Sequence, residues 1–334
     1  MELQEEFRKQ YLERGLVLCL GSGIAKCSGL PDWIELLNRL FHVAWPNHPE
    51  SPKHPMFKRL RDDGFTLTAI ASILEQKLGT DFVEAVREAL YRDFCLFKPA
   101  PEKPDRSLLV KQVRAENHSL RAVAALCVVK SQDTYVANPQ IRAIVNLNFD
   151  VVLRTYAKEH YGKYLLRTVE RPDAQPYQGS IPTYHAHGLL HWYHKRFRNL
   201  KYEAPDLLVF TEQQYFDFFG RPFEVFSYTL LSLMREYSMV FIGTALKDDN
   251  LRRLLYYNQN ERALAAERQP DAEIKLARHF LITTSSKNKD ADALTASAHL
   301  RLGVKTIWLN NWDELPHLLQ SIYDSSETRW VDVY

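Results

Sequence analysis

The chain's architecture follows from residues 16–25, LVLCLGSGIA, in which five consecutive apolar residues lead directly into a glycine-containing turn. A continuous apolar run of this length is typical of a strand that is buried on both faces of a parallel sheet. The chain has only 12 glycines in 334 residues, yet Gly21, Gly23 and Gly29 lie close together. We therefore predict that the backbone comes close to another group at this turn.

Four later apolar runs resemble this first one, and helical patterns separate them. The runs are Ile144–Leu147, Met239–Ile242, Phe280–Thr283 and Val304–Leu309, of which the last is expected nearer a sheet edge. The helical patterns include residues 81–90, opened by an Asp81/Glu84 capping box, residues 224–236 and residues 312–323. Strands that alternate with helices predict an α/β fold with a mainly parallel sheet and helices on both faces.

The segment at about residues 38–140 is rich in helical patterns and has no clear buried strand. We predict that it forms a helical insertion within a single domain spanning residues 1–334. Two proline-bearing stretches, residues 97–105 and 172–182, are expected to be connections.

Composition and charge exclude several classes of protein. With 46 % hydrophobic residues and 25 % charged residues, the chain has enough apolar material for a folded core. Its net charge of +2 gives no drive toward nucleic acid or membrane, so neither is expected as a direct partner. The four cysteines form no C-x-x-C pair, and we find no signal peptide and no membrane-spanning run. We therefore expect a cytoplasmic protein.

Two polar segments directly follow predicted strands, where ligands collect in open α/β sheets. The turn Gly21-Ser22-Gly23-Ile24 can present backbone amides to a phosphate, although Lys26 replaces the third glycine of the dinucleotide fingerprint. A plain strand-to-helix turn is the alternative. Asn148-Phe149-Asp150 can line a site, or it can form an Asx turn that caps a helix starting near Val151.

Two further segments carry a histidine or a hydroxyl group. His185 and His187 would point the same way on a strand, but the sequence offers no third metal ligand, so no metal site is predicted. A single histidine there can act as a general base, or it can be a hydrogen-bonded residue of the core or the surface. Gly243 and Thr244 follow another predicted strand and can hold a phosphate or ribose. The alternative is a plain turn in which Asp248 caps the next helix.

In this order, the four segments resemble the sirtuin-like NAD-consuming family, and in particular its bacterial antiviral-defence NADase branch. That family has a Gly-Ala-Gly-x-Ser loop, then Gly-Leu/Ile-Pro, Thr-x-Asn-x-Asp, His-Gly and Gly-Thr/Tyr-Ser-Leu. The matching segments here are residues 21–25, Gly29-Leu30-Pro31 with Trp33, residues 146–150, His187-Gly188, and residues 243–246 with Asp248 and Asn250. Residues 208–212, LVFTE, followed by Tyr215, also resemble a segment of bacterial sirtuin-like defence proteins. The resemblance spans about residues 10–325. Ala25 and Asn146 depart from the family pattern, and the four-cysteine zinc module of protein-deacylating sirtuins is missing.

The resemblance implies a Rossmann-like fold and hydrolysis of NAD to nicotinamide and ADP-ribose. NAD is then the substrate, and no resident cofactor is expected. Asn148 would orient the attacking water or a ribose hydroxyl, and His187 would be the general base. The implied NAD-binding residues are Gly21, Ser22, Gly23 and Ile24 at the pyrophosphate, Asp150 at the nicotinamide carboxamide, and Gly243 and Thr244 on the adenosine side.

The resemblance also implies a role in antiphage defence, in which depletion of NAD aborts the infection. Such an activity must be gated, and the family suggests a homo-oligomer, a HerA-type ATPase or a short Argonaute as the activating partner. Residues 216–226 can form a homo-oligomer contact or simply pack into the core. The alternatives from other classes are an NAD-dependent protein deacylase or ADP-ribosyltransferase, a non-catalytic module that senses NAD or ADP-ribose, and a structural subunit that recruits a partner.

Overall fold

The computed structural model describes residues 2–47, 53–97, 106–162, 164–169, 179–192, 208–220, 225–269 and 277–323. The strands in these ranges are β1 Leu16–Leu20, β2 Val128–Ser131, β3 Thr134–Ala137, β4 Ile141–Asn146, β5 Leu166–Val169, β6 Ile181–His185, β7 Ser238–Ile242, β8 His279–Thr284 and β9 Val304–Leu309. The helices are α1 Glu2–Arg14, α2 Trp33–Ala44, α3 Pro55–Asp62, α4 Leu67–Leu78, α5 Phe82–Tyr91, α6 Ser107–Glu116, α7 His118–Leu126, α8 Val152–Tyr161, α9 Glu212–Gly220, α10 Val225–Glu236, α11 Asp249–Arg268, α12 Lys289–Leu300 and α13 Leu315–Tyr323.

Seven strands form one parallel sheet in the order β5-β6-β4-β1-β7-β8-β9. The strand order reverses beside β1, because β4 to β6 lie on one side of it and β7 to β9 on the other. In open α/β sheets the crevice at such a reversal, outside the carboxyl ends of the strands, is where ligands bind. This topology confirms the predicted Rossmann-like α/β fold.

Both faces of the sheet are covered, as the continuous apolar run in β1 predicts. Leu16, Leu18 and Leu20 belong to one buried hydrophobic cluster, and Val17 and Cys19 belong to the other. All five residues of β1 are buried. The sequence of such a strand is continuously apolar because neither of its faces is exposed to solvent.

The predicted strands are found, and two further strands of the same sheet were not predicted. The run Val304–Leu309 is β9 and lies at the sheet edge, as expected. The missed strands β5 and β6 lie at the opposite edge, where buried and half-buried residues alternate instead of forming an apolar run. Residues 181–182 begin β6 and are not part of a connection, which corrects that prediction; residues 98–105 and 170–178 lie outside the described residues.

The predicted helix-rich insertion contains α3 to α7, together with the antiparallel hairpin β2–β3. Most of the hairpin is exposed or half-buried, which explains why no buried strand was recognisable there. Helix α5 lies where predicted, but the capping box was wrong. Asp81 ends a short 3₁₀ turn and its side chain makes no capping bond, whereas Glu84 contacts Arg87 at 3.1 Å.

Helix α10 and helix α13 correspond to the other two predicted helices, although α13 is preceded by a 3₁₀ turn at Trp312–Glu314. Within the described ranges, every helix is too short or too polar to cross a lipid bilayer.

Candidate active site

Four neighbouring strands end at the same edge of the sheet, and each predicted site segment follows one of them. In the strand register, Leu20 at the end of β1 pairs with Asn146 of β4 and Ile242 of β7, and Asn146 pairs with His185 of β6. The glycine turn and the segments that begin near Asn148, His187 and Gly243 therefore emerge side by side. The fold thus brings together segments that are far apart in the chain.

The glycine turn after β1 is packed tightly against the backbone that follows β7. The amide of Gly21 donates to the Ile242 carbonyl at 2.9 Å, and the amide of Gly23 donates to the Gly243 carbonyl at 3.0 Å. A Cβ atom on Gly21 would lie 2.4 Å from the Gly243 oxygen, so a larger residue does not fit. The predicted close approach is confirmed, but its partner is protein backbone. Both amides are already used within the fold, which differs from the expectation that they face a phosphate.

A cavity lies beside this turn, and it contains three of the predicted site residues. Ser22, Asn148 and Asp150 all line it, and the Asn148 side chain makes no hydrogen bond to any described residue. The other lining residues are Ala25, Leu30, Pro31, Asp32, Trp33, Leu36, Leu90 and Phe149. A mostly apolar cavity with a few convergent polar groups is typical of a small-molecule site.

Local hydrogen bonds set the position of Asn148 and Asp150 at the end of β4. The Asn146 side chain accepts from the Asn148 amide at 3.1 Å, and an Asp150 carboxylate oxygen accepts from the Val152 amide at 2.9 Å. Asp150 therefore forms an Asx turn at the start of α8. It also lines the cavity, so both interpretations of the Asn148–Asp150 segment apply. His185 donates from Nδ1 to the Asn148 carbonyl at 3.2 Å, and burial lowers its pKa to about 4.

Asp150 is buried, and this burial raises its pKa from the ordinary value of 3.8 to about 6, against the opposing effect of hydrogen bonds from the Val152 and Asp150 amides. A carboxyl group in this range exchanges its proton near neutral pH, which is uncommon for an aspartate. It can therefore meet a polar ligand group either as a donor or as an acceptor.

Replacing Asp150 should raise the stability of the folded protein at neutral pH. The pKa of Asp150 is higher in the folded protein than in the unfolded chain, so ionisation of this carboxyl group lowers the free energy of unfolding. This loss of stability grows as the pH rises from 3.8 to about 6. We expect Asp150→Asn, which keeps the oxygen that accepts from Val152, to gain on the order of 3 kcal/mol of unfolding free energy at pH 7 and almost nothing near pH 4. Denaturant unfolding of both proteins across this pH range is the measurement, with the exposed Asp133→Asn as control. An equal gain at all pH values would contradict the burial argument.

His187 lies in the turn after β6 and not on the strand itself, so the expectation that it shares a strand face with His185 was wrong. Its Nε2 atom lies 3.3 Å from a carboxylate oxygen of Asp248, and its ring stacks on Tyr215 with centroids 5.5 Å apart. Its Nδ1 atom is buried and has no hydrogen-bond partner among the described residues. A buried polar atom of this kind needs a partner, and a ligand or a water molecule can supply it.

Asp248 connects several parts of the site. One oxygen accepts from the Leu251 amide at 2.7 Å and caps α11, and the other contacts His187 and accepts from the Tyr215 hydroxyl at 3.0 Å. Burial on its own would raise the pKa of Asp248, but His187, the Leu251 amide and the Tyr215 hydroxyl hold it below its ordinary value. Asp248 is therefore a carboxylate at neutral pH.

The predicted residues Gly243 and Thr244 lie beside the glycine turn, but they do not line the cavity. His187 does not line it either. The loop that starts at Gly243 is strained, because the buried Leu246 adopts a left-handed backbone with φ of 50°. Such strain persists only where the surrounding structure enforces it, and here it lies two residues before Asp248.

Sequence reasoning missed an aromatic cluster beside the cavity and the contacts of His187. Trp33 stacks on Phe210 with centroids 4.8 Å apart, and Phe149 packs against both rings. Trp33, Phe210 and Tyr215 were all visible as parts of the resemblance, but the sequence did not predict the contacts that they make. Asp248 was noted as a helix cap and as part of the resemblance, but not as the partner of His187, because a single sequence does not show which side chain meets this histidine.

Helix α5 of the insertion holds two loops of the site. The Tyr91 hydroxyl donates to the Leu190 carbonyl at 2.7 Å and accepts from the Val151 amide at 3.2 Å, and Arg87 donates to the His191 carbonyl. These bonds link the turn after β6 to the start of α8. The insertion therefore supports the positions of both His187 and Asp150.

Asn117 at the start of α7 ties the insertion to the glycine turn. Its side-chain nitrogen donates to the Ile24 carbonyl at 2.8 Å and to the Ser28 hydroxyl at 2.9 Å, while its oxygen accepts from the Leu120 amide. All of these bonds are buried. The glycine turn is thus held from the β7 side by backbone and from the insertion by one side chain.

Substituting Asn117 by serine should separate its two roles. Serine still caps α7, but it cannot donate to Ile24, which leaves a buried carbonyl unsatisfied. We expect Asn117→Ser to lose about 1–3 kcal/mol of unfolding free energy. The exposed cap Asn288 of α12 gives a matched control, since Asn288→Ser exchanges one good capping residue for another and should cost under about 0.5 kcal/mol. Equal losses in the two variants would rule out the tether.

Among the described residues, no group of three or more histidine, cysteine, aspartate or glutamate side chains is arranged to hold a metal ion. The four cysteines are all free.

Comparison with models of known families gives a match over part of the chain. Residues 142–303 match the family model described as a SIR2-like domain. This range covers just under half of the chain and includes the segments after β4, β6 and β7, whereas the glycine turn lies outside it. The match supports the sirtuin-like resemblance and is compatible with an enzyme that uses NAD. A search of curated proteins found no match.

Proposed function

We propose that the protein hydrolyses NAD to nicotinamide and ADP-ribose. One observation carries this proposal: Asn148 and Asp150 line a cavity at the strand-order reversal, and a carboxylate-bound histidine with an unpartnered ring nitrogen lies on the neighbouring loop. The match to a SIR2-like domain over these same loops supports NAD as the substrate.

The chemistry of the reaction fits these groups. Nicotinamide leaves NAD as a neutral ring, so its departure needs no proton from an acid, and the ribose C1′ becomes oxocarbenium-like, as in glycoside cleavage. Asn148 orients the attacking water or a ribose hydroxyl. Asp150 binds the nicotinamide carboxamide. The Nδ1 atom of His187 takes the proton from the oxygen, which is worth about 10²–10⁴-fold in rate.

The balanced reaction consumes one water. Its oxygen forms the new bond to C1′, the C1′–N bond to nicotinamide breaks with its electron pair going to the ring, and the water proton leaves through His187. No oxidant or reductant is needed. The cavity side of the glycine turn, with the Ser22 side chain, contacts the NAD phosphates, since the Gly21 and Gly23 amides are already bonded.

We also propose that this activity depletes NAD during phage infection and is gated, because free NAD hydrolysis would poison the host cell. Gating by self-assembly or by a partner such as a HerA-type ATPase or a short Argonaute is consistent with the resemblance stated above. The cytoplasm, where NAD is abundant, is the proposed location.

A nicotinamide-release assay tests the activity. Purified protein is incubated with NAD and no acceptor, over a range of protein concentrations, and nicotinamide and ADP-ribose are followed by chromatography. Release of both in equal amounts supports hydrolysis. Release that requires an acyl-lysine peptide or another protein acceptor indicates a deacylase or a transferase, and calorimetric binding without release at any concentration or with neighbouring gene products indicates a sensing module. A parallel incubation with NADP defines the nucleotide preference.

A further inference from the structure

The contact between His187 and Asp248 joins loops that leave non-adjacent strands. His187 follows β6 and Asp248 follows β7, and β4 and β1 lie between these two strands. At ~4.8 Å per strand spacing, their axes are roughly 14 Å apart. The Nε2–Oδ2 contact of 3.3 Å therefore requires the two loops to reach toward each other over the carboxyl ends of β4 and β1.

We propose that Asp248 is a positioning residue that fixes the ring orientation and the tautomer of His187, an inference that rests on the hydrolysis proposed above. Nε2–H donates to the carboxylate, so the lone pair of the neutral ring lies on Nδ1. That atom is buried and lacks a partner among the described residues, as a base awaiting its substrate would be. A carboxylate also stabilises the imidazolium that forms when the base takes its proton.

Tyr215 makes the orientation of the ring more specific. It stacks on the imidazole with an interplanar angle of 26°, and its hydroxyl donates to the same oxygen of Asp248 that contacts His187. Burial and the neighbouring Asp248 raise the pKa of Tyr215, so that the hydroxyl keeps its proton and remains a donor. Helix α9, which carries Tyr215, is itself held on the insertion by a bond from the Glu212 amide to the Ser72 hydroxyl at 3.0 Å.

The two oxygens of Asp248 have separate tasks, which makes the role of the carboxylate testable. Oδ1 caps α11 through the Leu251 amide, and asparagine or serine can do the same. Oδ2 faces His187 and Tyr215. In Asp248→Asn, an NH₂ group takes this place, so Nε2 must accept a hydrogen bond and the ring proton moves to Nδ1. The base then has no lone pair where the substrate binds.

The kinetic test compares wild type with Asp248→Asn and Asp248→Ser. We expect kcat for NAD cleavage to fall by about 10²–10⁴-fold in both, with KM changed by less than about threefold, as expected when a carboxylate that orients a catalytic histidine is lost. Asn288→Ala, which removes the side-chain cap of α12 without touching the site, is the control for lost stability and should keep the wild-type kcat. Unchanged kcat in either Asp248 variant, or a raised KM with unchanged kcat, overturns the proposal.

A second readout is independent of turnover. Nitrogen-15 spectra of histidine-labelled protein at alkaline pH distinguish the two neutral tautomers, and the His187→Gln variant assigns the His187 signals among the 12 histidines. We expect protonated Nε2 in the wild type and protonated Nδ1 in Asp248→Asn. An unchanged tautomer overturns the positioning role. If the wild type cleaves no NAD under any condition, the proposed function fails, and the tautomer shift still decides whether Asp248 positions His187.

Discussion

Asn148→Ala and His187→Ala should each abolish nicotinamide release from NAD while the protein stays folded. His187→Ala removes the imidazole that takes the proton, and a general base of this kind contributes about 10²–10⁴-fold in rate. Asn148→Ala removes a side-chain amide that lines the cavity. Because this amide makes no hydrogen bond to any described residue, its removal leaves no protein group without a hydrogen-bond partner. The measurement is nicotinamide formed per enzyme per minute, together with the thermal unfolding midpoint of each variant.

Two control variants separate this effect from general damage. His118 is exposed on α7 and Asn288 is exposed at the start of α12, so His118→Ala and Asn288→Ala remove the same side-chain types away from the cavity. Both should cleave NAD at the wild-type rate. If purified Asn148→Ala or His187→Ala also did so, the residue in question would have no part in the chemistry, and the proposed mechanism would have to be abandoned.

The central part of the sheet could be predicted from the sequence, and its far edge could not. Strands β1, β7 and β8 have runs of buried apolar residues because helices cover both faces, and such runs are visible in a single sequence. Strands β5 and β6 alternate buried and half-buried residues over four or five positions. A short alternating segment with a proline, such as Pro182, is not distinguishable from a loop without knowledge of its neighbours.

The candidate site could be predicted only as a set of segments. The end of the predicted strand Ile144–Leu147 located Asn148 and Asp150 at the edge of the sheet where ligands bind. His187 was included through the resemblance, because β6 was not predicted. The partner of His187 was not visible, because Asp248 follows a strand three positions away in the sheet and its sequence context fits an ordinary helix cap. The same holds for Gly21 and Gly23. The sequence predicted that they pack closely against another group, but it did not show that this group is the Gly243 backbone.

Gly21→Ala should destabilise the protein by about 3 kcal/mol or more, at the upper end of what overpacking costs. The added methyl group would lie 2.4 Å from the Gly243 oxygen and 2.7 Å from the Thr244 Cβ atom. Neither neighbour is the movable end of a flexible side chain. Relief therefore requires the turn after β1 and the loop after β7 to separate, which also breaks the bond from the Gly21 amide to Ile242.

The backbone conformation of Gly21 isolates this steric cause. Its φ of −106° suits any residue, so alanine costs nothing in backbone strain there. Gly162 gives the opposite case, because its φ of 71° disfavours alanine while a Cβ atom would meet open space. Gly162→Ala should therefore lower the free energy of unfolding by about 1 kcal/mol, which is typical of an alanine in a left-handed backbone conformation. Denaturant unfolding of both variants is the measurement. If Gly21→Ala lost no more stability than Gly162→Ala, the turn after β1 and the loop after β7 would be able to move apart freely. The tight packing between them would then not constrain the geometry of the site.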